Sequence, residues 1–168
     1  RPALTARLLR LADRAGTAVV GVFEWRLGHL TRKANAMLAG LGRTRRILVS
    51  DTLLADHSDD EIEVILAHEL AHLVHHDTWT SLALQILTLT AACRVAAATV
   101  GPAAGALGLS GPADLAVLPV IAWTGGVVAA LAQPLGHALS RWHEVRADRY
   151  ALEATRNPDA FVSSVRRL

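Results

Sequence analysis

The chain has 168 residues, 52% apolar and 19% charged, with a mean hydropathy of +0.31. That composition excludes a disordered or fibrous chain and suits one domain, or one domain with an embedded insertion. A net charge of only +2, with no long basic run, argues against a nucleic-acid partner.

The charge is unevenly spread. Of the 32 Asp, Glu, Lys and Arg, only Arg94 and Asp114 fall within residues 78–140. A soluble-looking protein therefore carries an apolar segment in its middle. The single cysteine excludes an internal disulfide, and Cys93, set among Ala and Val, reads as a packing residue. No basic, apolar, small-residue leader opens the chain. Arg1 begins inside a helical pattern, which reads as the start of a fragment.

In chain order, residues 3–15 set Leu4, Leu8, Leu11 and Ala15 on one helical face, and Gly16 is the expected stop. Residues 17–25 are rich in Val and Phe and predict a strand. A second short strand is expected at 33–38, a turn at Gly40-Leu41-Gly42, and a third strand at 46–50. Together they predict a small sheet. Ser58 and Glu61 form a capping box, and Asp59, Asp60 and Glu61 place negative charge at the positive end of the helix dipole. The helix should run over 59–76, burying Ile62, Ile65, Leu66 and Leu73.

Two apolar stretches follow, 82–100 with the single charge Arg94, and 115–140 with none. Each has the roughly 20 residues that a bilayer crossing requires. Between them, 101–114 holds four Gly and two Pro and reads as a turn. The prediction is a transmembrane helical hairpin. Arg94 is its objection, since a mid-bilayer charge costs about 2.5–3.5 kcal/mol on insertion scales. Six residues from Val100, Arg94 can snorkel outward or face a polar interior. The rival reading is a hairpin buried within a soluble protein. Residues 101–114 lack Lys and Arg, whereas the outer flanks carry Arg43, Arg45, Arg46, Arg141, Arg146 and Arg149; the positive-inside rule puts both flanks in the cytoplasm. A two-pass hairpin returns the chain to the side it left, so the flanks can meet.

His68-Glu69-Leu70-Ala71-His72 is an H-E-x-x-H motif within the capped helix. Positions i and i+4 share a face, so His68 and His72 can point at one zinc ion. Glu69 stands off that axis, where its carboxylate can take a proton from water activated by the metal. A catalytic zinc takes three protein ligands, so a third must be found. The metzincin continuation is absent, because His75 stands where Gly should be and Thr78 where the next His should be. The best candidate is Glu144, in Trp142-His143-Glu144-Val145-Arg146-Ala147-Asp148. Glu144 and Asp148 share one helical face, and Asp148 can steady a ligand histidine or the helix. The competing reading of this pair is a solvated helix with ion pairs to Arg141 or Arg149. The returning hairpin favours the metal reading.

These features resemble the M48 family of membrane zinc metallopeptidases, and its CAAX prenyl protease (Ste24-type) branch more closely than its HtpX-type branch. The resemblance covers nearly the whole chain. It rests on Asn35-Ala36, the run from Gly40 to Ile47, Asp51-Thr52-Leu53-Leu54, the H-E-x-x-H, and Glu144 with Ala147-Asp148. It implies a zincin-like core, mainly α with a small β-sheet. Residues 1–77 and 141–168 would form the peptidase domain, with the hairpin at 78–140 inserted. It also implies one zinc on His68, His72 and Glu144, Glu69 as the catalytic carboxylate, and a peptide or protein substrate cleaved at or within the lipid bilayer. Ste24-type enzymes process prenylated C-terminal motifs. The stretch around Asn35 would form a substrate-facing edge strand that binds peptide by β-augmentation. Family enzymes have membrane helices ahead of the region matched by Arg1, and Ste24-type enzymes have a downstream His and Arg with no counterpart by Leu168; both departures fit a fragment.

The expectation is a membrane zinc endopeptidase. Its rival is a non-catalytic membrane scaffold or sensor stabilised by zinc. His75 and His76 read as polar groups at the helix end, with His76 able to support His72. His143 should point away from its neighbour Glu144. His29, His57 and His137 read as surface or interface residues. Trp79 and Trp142 flank the apolar region at candidate interface positions, and Trp25 and Trp123 need no special role.

Overall fold

The structure is a computed structural model that describes residues 1–26 and 35–167. It is mainly α with a small three-stranded sheet. The chain separates into two compact units: one of Arg1–Asp77 with His143–Leu168, the other of Thr78–Trp142.

The first unit opens with α1 (Pro2–Arg14). Pro2 begins it where a missing N–H costs nothing. Leu4, Leu8, Leu11 and Ala12 are its buried face, the spacing expected of an amphipathic helix. Gly16, at φ +63°, follows its end in the left-handed region that glycine adopts without strain. The strands are β1 (Val22–Trp25), β2 (Ala36–Ala39) and β3 (Arg46–Ser50), in the order β1-β3-β2. β3 pairs parallel with β1 (Val22 opposite Ile47) and antiparallel with β2 (Ala36 opposite Val49). Ile47 and Val49, on one face of β3, are buried. Gly40, at φ +100°, turns the chain out of β2. A Cβ there would lie 2.7 Å from the Thr44 carbonyl oxygen, so no other residue fits without a backbone shift.

Two strand expectations are corrected. β1 is shorter than 17–25, because Thr17 and Val19 precede the paired segment. β2 lies at Ala36–Ala39 rather than 33–38, and residues 33 and 34 lie outside the described residues. Leu53, fully buried, also anchors a short helix, α2 (Asp51–Asp56), that periodicity did not reveal. Ser50 caps it, its hydroxyl oxygen accepting from the Leu53 N–H at 3.1 Å and from the Asn35 N–H at 2.9 Å.

The central element is α3 (Asp59–Val74), which packs against α1, β2 and α6 (Pro158–Arg167). Its capping box is formed: Ser58 Oγ accepts from the Glu61 N–H at 3.2 Å, and Glu61 Oε2 accepts from the Ser58 N–H at 2.8 Å. Ile62, Leu66 and Leu70 are fully buried, at about 1.5–3 kcal/mol of transfer free energy each. α3 stops at Val74, two residues short of expectation, because His76 takes φ +59°. That break lets Asp77 begin a new helix.

α4 (Asp77–Ala106) and α5 (Leu118–Thr155) carry the apolar segment. α4 continues through Gly101 and Pro102, which were expected to lie in the turn. Three alanines beyond Pro102 favour helix strongly enough to carry it to Ala106. Gly108, at φ +64°, then ends it, with the Leu109 N–H returning to the Ala104 carbonyl at 2.9 Å. α5 is one helix from the apolar stretch through Glu144 and Asp148. Cys93 and Arg94 are exposed, so Cys93 is not a packing residue. His137 is exposed, His57 is buried against expectation, and His29 lies outside the described residues. Both ring nitrogens of His57 lack a hydrogen-bond partner among the described residues.

The Glu61 carboxyl is held below its ordinary 4.5, first by the Ser58 N–H and also by Ser163 and Arg167. A carboxyl whose value is lowered by folding contributes stability that is complete above the unfolded value and is lost as pH falls through the folded one. Glu61→Gln is therefore expected to be less stable than the parent chain at pH 7. Denaturant unfolding should show that gap closing as pH falls below about 4.5.

Candidate metal centre

The two histidines of α3 sit one turn apart, their ring centroids separated by 4.9 Å and their planes nearly perpendicular at 82°. Each Nδ1 is engaged by a carboxylate. His68 Nδ1 lies 3.0 Å from Asp148 Oδ1, and His72 Nδ1 lies 2.8 Å from Asp77 Oδ2. With the Nδ1 protons donated, the neutral form of each ring leaves its Nε2 lone pair free for a metal. They face each other at 3.3 Å. α5 adds Glu144, whose Oε2 lies 3.2 Å from His68 Nε2 and Oε1 3.9 Å from His72 Nε2.

Three electron-pair donors thus converge, with ligand atoms all within 4.8 Å of one another. A tetrahedral zinc with bonds of about 2.0–2.1 Å would set its ligand atoms roughly 3.4 Å apart. The separations of 3.2, 3.3 and 3.9 Å fit that demand with little adjustment. Two imidazoles and one carboxylate are also the donor set of a catalytic rather than a structural zinc.

Glu69 is half-buried, on the motif helix beside these groups. Burial is the largest influence on its carboxyl and pushes it above the usual range. Charge on His68 and His72 opposes this, and Glu144 adds to it. A carboxylate so placed is a better proton acceptor than one free in water. Asn35 sits at the start of β2, its carbonyl accepting from the Ser50 N–H at 2.9 Å. β2 is an edge of the sheet and packs beside α3.

Periodicity did not reveal Asp77, His143 or Arg146. Asp77 is 5% exposed. Besides His72, it pairs closely with Arg146 Nη2 through Oδ1, and His143 Nε2 lies 3.6 Å from the same oxygen. His143 does point away from Glu144, as expected, but into this buried cluster rather than to solvent. A signal existed: His143 and Arg146 are three apart and share a helical face distinct from that of Glu144 and Asp148. A ligand histidine also needs an acceptor at its Nδ1, which directs the search to the nearest carboxylate, Asp77. His76 is exposed and does not support His72. His75 instead bonds the Ala71 carbonyl at 2.9 Å and meets Tyr150 edge-on.

Removing a hydrogen-bond partner of a ligand histidine commonly costs 10–100-fold in metal affinity. Asp77→Ala is expected to weaken divalent-metal binding by about that factor, measured by competition with a chromophoric chelator.

The profile of peptidase family M48 matches residues 1–168. An uncharacterized metalloprotease of Bacillus subtilis, YhfN, is 32% identical over 98% of this chain and 40% of its own length. A protease HtpX homologue of Campylobacter curvus is 29% identical over 98% of this chain and 56% of its own. CAAX prenyl protease 1 of Saccharomyces cerevisiae is 40% identical over 63 residues, 37% of this chain and 14% of the yeast protein. The crystal structure of S. mikatae Ste24p shares the fold, with a TM-score of 0.74 at 22% identity over 97% of this chain and 42% of that one. The chain thus spans about half, or less, of the length of these relatives. The Ste24-type likeness expected from the motifs appears in both sequence and fold, alongside HtpX homologues. On the full-length profile match, the chain belongs to peptidase family M48.

Proposed function

We propose that this chain carries the catalytic centre of a membrane-embedded zinc endopeptidase. The observation that supports it most directly is the convergence of His68 Nε2, His72 Nε2 and a Glu144 carboxylate oxygen, with both Nδ1 atoms already committed. Membership of a metallopeptidase family implies a divalent metal, and this donor set suits zinc. Bound there, zinc would supply Lewis acidity, polarising the scissile carbonyl and making water a stronger acid.

The remaining chemistry belongs to the chain. Glu69 accepts the proton of the attacking water and passes it to the leaving amine. Asp148 and Asp77 hold the two imidazoles in the tautomer that binds metal. The outer edge of β2, from Asn35 onward, takes an extended peptide by main-chain pairing, which aligns the scissile bond without demanding a particular sequence.

The same reading makes residues 78–140 a bilayer hairpin. Asp77–Ala106 and Leu115–Thr155 are long and apolar enough to cross, with mean hydropathies of 1.5 and 2.1 in their most apolar windows. Those windows are almost entirely exposed within the chain, unlike the core helix of a soluble protein. The charged flanks and the Lys- and Arg-free connection then orient the catalytic residues to the cytoplasm.

Glu69→Gln is expected to lower cleavage of a casein or peptide substrate by about 10²–10⁴-fold while metal content is unchanged. Retained cleavage in that variant would exclude Glu69 as the base, and absence of chelator-sensitive cleavage in the parent chain would favour a zinc-stabilised scaffold. In carbonate extraction the chain should stay with the membrane pellet; release to the supernatant would refute the hairpin.

A further inference from the structure

The turn between β2 and β3 holds an apolar side chain out to solvent on a stiff backbone. Leu41 is 81% exposed. Thr44 Oγ1 accepts from the Leu41 N–H at 3.3 Å and donates to the Leu41 carbonyl at 2.9 Å, and the Thr44 N–H donates to that carbonyl at 3.0 Å. The Val20 N–H donates to the Arg45 carbonyl at 2.7 Å, which brings exposed Val20 to the same end of the sheet. There the Arg46 guanidinium lies over the exposed Phe23 ring, 5.5 Å from its centroid. We infer that this end of the sheet, made of Val20, Phe23, Leu41, Arg43, Arg45 and Arg46, docks on the headgroup layer of a bilayer containing anionic lipid. The inference rests on the bilayer reading of residues 78–140 and adds a lipid contact outside the hairpin.

Three observations carry it. The first is charge. Residues 15–23 and 36–50 contain no Asp or Glu, yet they hold three arginines. Arg43 and Arg46 are exposed and Arg45 is half-buried. None of the three forms an ion pair among the described residues. Anionic headgroups attract arginines placed near the membrane surface.

The second is the pairing of apolar and basic groups on one tip. Leu, Val and Phe gain by passing below the phosphate level, while guanidinium groups stay at it, and long arginine stems bridge the two depths. The turn is already fixed by Thr44, so docking orders little backbone.

The third is the tether. The apolar segment leaves from Asp77 and returns at His143, and both residues belong to the unit that carries the sheet. A hairpin in the bilayer therefore keeps this unit at a high effective concentration of headgroups, where a small apolar tip with three charges suffices.

The test uses the full chain with its one cysteine replaced, Cys93→Ser, and an environment-sensitive fluorophore on Leu41→Cys. It is placed in nanodiscs of phosphatidylcholine, with or without phosphatidylglycerol, that carry a headgroup nitroxide lipid. The label should shift to the blue, and its quenching should be at least about twofold stronger with phosphatidylglycerol present. Added salt should reverse that gain without any change of sequence. Replacing Arg43, Arg45 and Arg46 together by Gln should lower quenching to the phosphatidylcholine level. The same label at Val162→Cys, exposed on α6, should not respond to lipid composition. Equal quenching at both positions, equal quenching in both lipids, or no quenching at position 41 would overturn the inference. A blue shift at position 41 without nitroxide quenching would also overturn it, because a protein segment would then be the occupant. If carbonate extraction releases the chain, the bilayer reading itself fails. If the chain stays in the pellet and position 41 is unquenched, only the docking surface fails.

Discussion

Two imidazoles one helical turn apart, each with its Nδ1 proton committed to a carboxylate, present lone pairs to each other across 3.3 Å. That geometry depends on the element that carries both rings. α3 is the stiff part. Its first turn is closed by a reciprocal cap, its interior by fully buried Leu66 and Leu70, and its flanks by α1, β2 and α6. Arg7 adds ion pairs from α1 to Asp60 and Glu63 of α3. Those pairs are partly solvated and worth little individually. Most of the rigidity comes from burial.

The carboxylates that orient the two rings come from opposite sides of the apolar segment. Asp77 is the last residue before it, and Asp148 follows it by several residues on α5, in the same turn-and-a-half that supplies Glu144. His72 finds its partner five residues on, whereas His68 gains one only when a segment 80 residues away in sequence returns to it. The partner of each ring is also different in kind. Asp77 is buried and shared with Arg146 and His143, while Asp148 is substantially open to solvent. His72 is accordingly the more tightly held of the two.

What the sequence made legible divides along physical lines. Local rules worked where local physics decides. The Ser58–Glu61 cap, the buried face of α1, the third strand and the shared face of His68 and His72 all follow from period and spacing. Glu144 and Asp148 are legible as a pair because residues four apart share one helical face. Asp77, His143 and Arg146 escaped because their pairing crosses 66 to 69 residues of sequence, and no period encodes that. The end of α3 is not legible in the sequence because His76 adopts a left-handed backbone that non-glycine residues seldom take. α4 continues past Pro102 because the helix propensity of the alanines that follow outweighs the punctuation of Gly and Pro. Large apolar side chains such as Ile86, Leu89, Trp123 and Leu131 are exposed on the Thr78–Trp142 unit.

Ser50 is a small residue with an outsized number of duties. Its N–H donates to the Asn35 carbonyl, its hydroxyl oxygen accepts from the Asn35 and Leu53 N–H groups, and Thr52 Oγ1 lies 2.9 Å from it. The first rung of the edge strand and the first turn of α2 therefore share one atom. Neither can fray without the other, which makes them a single cooperative unit in the sense of local opening. The strand is clamped at its Asn35 end, so any extended chain laid along it would be read from a fixed origin, like a ruler fastened at zero.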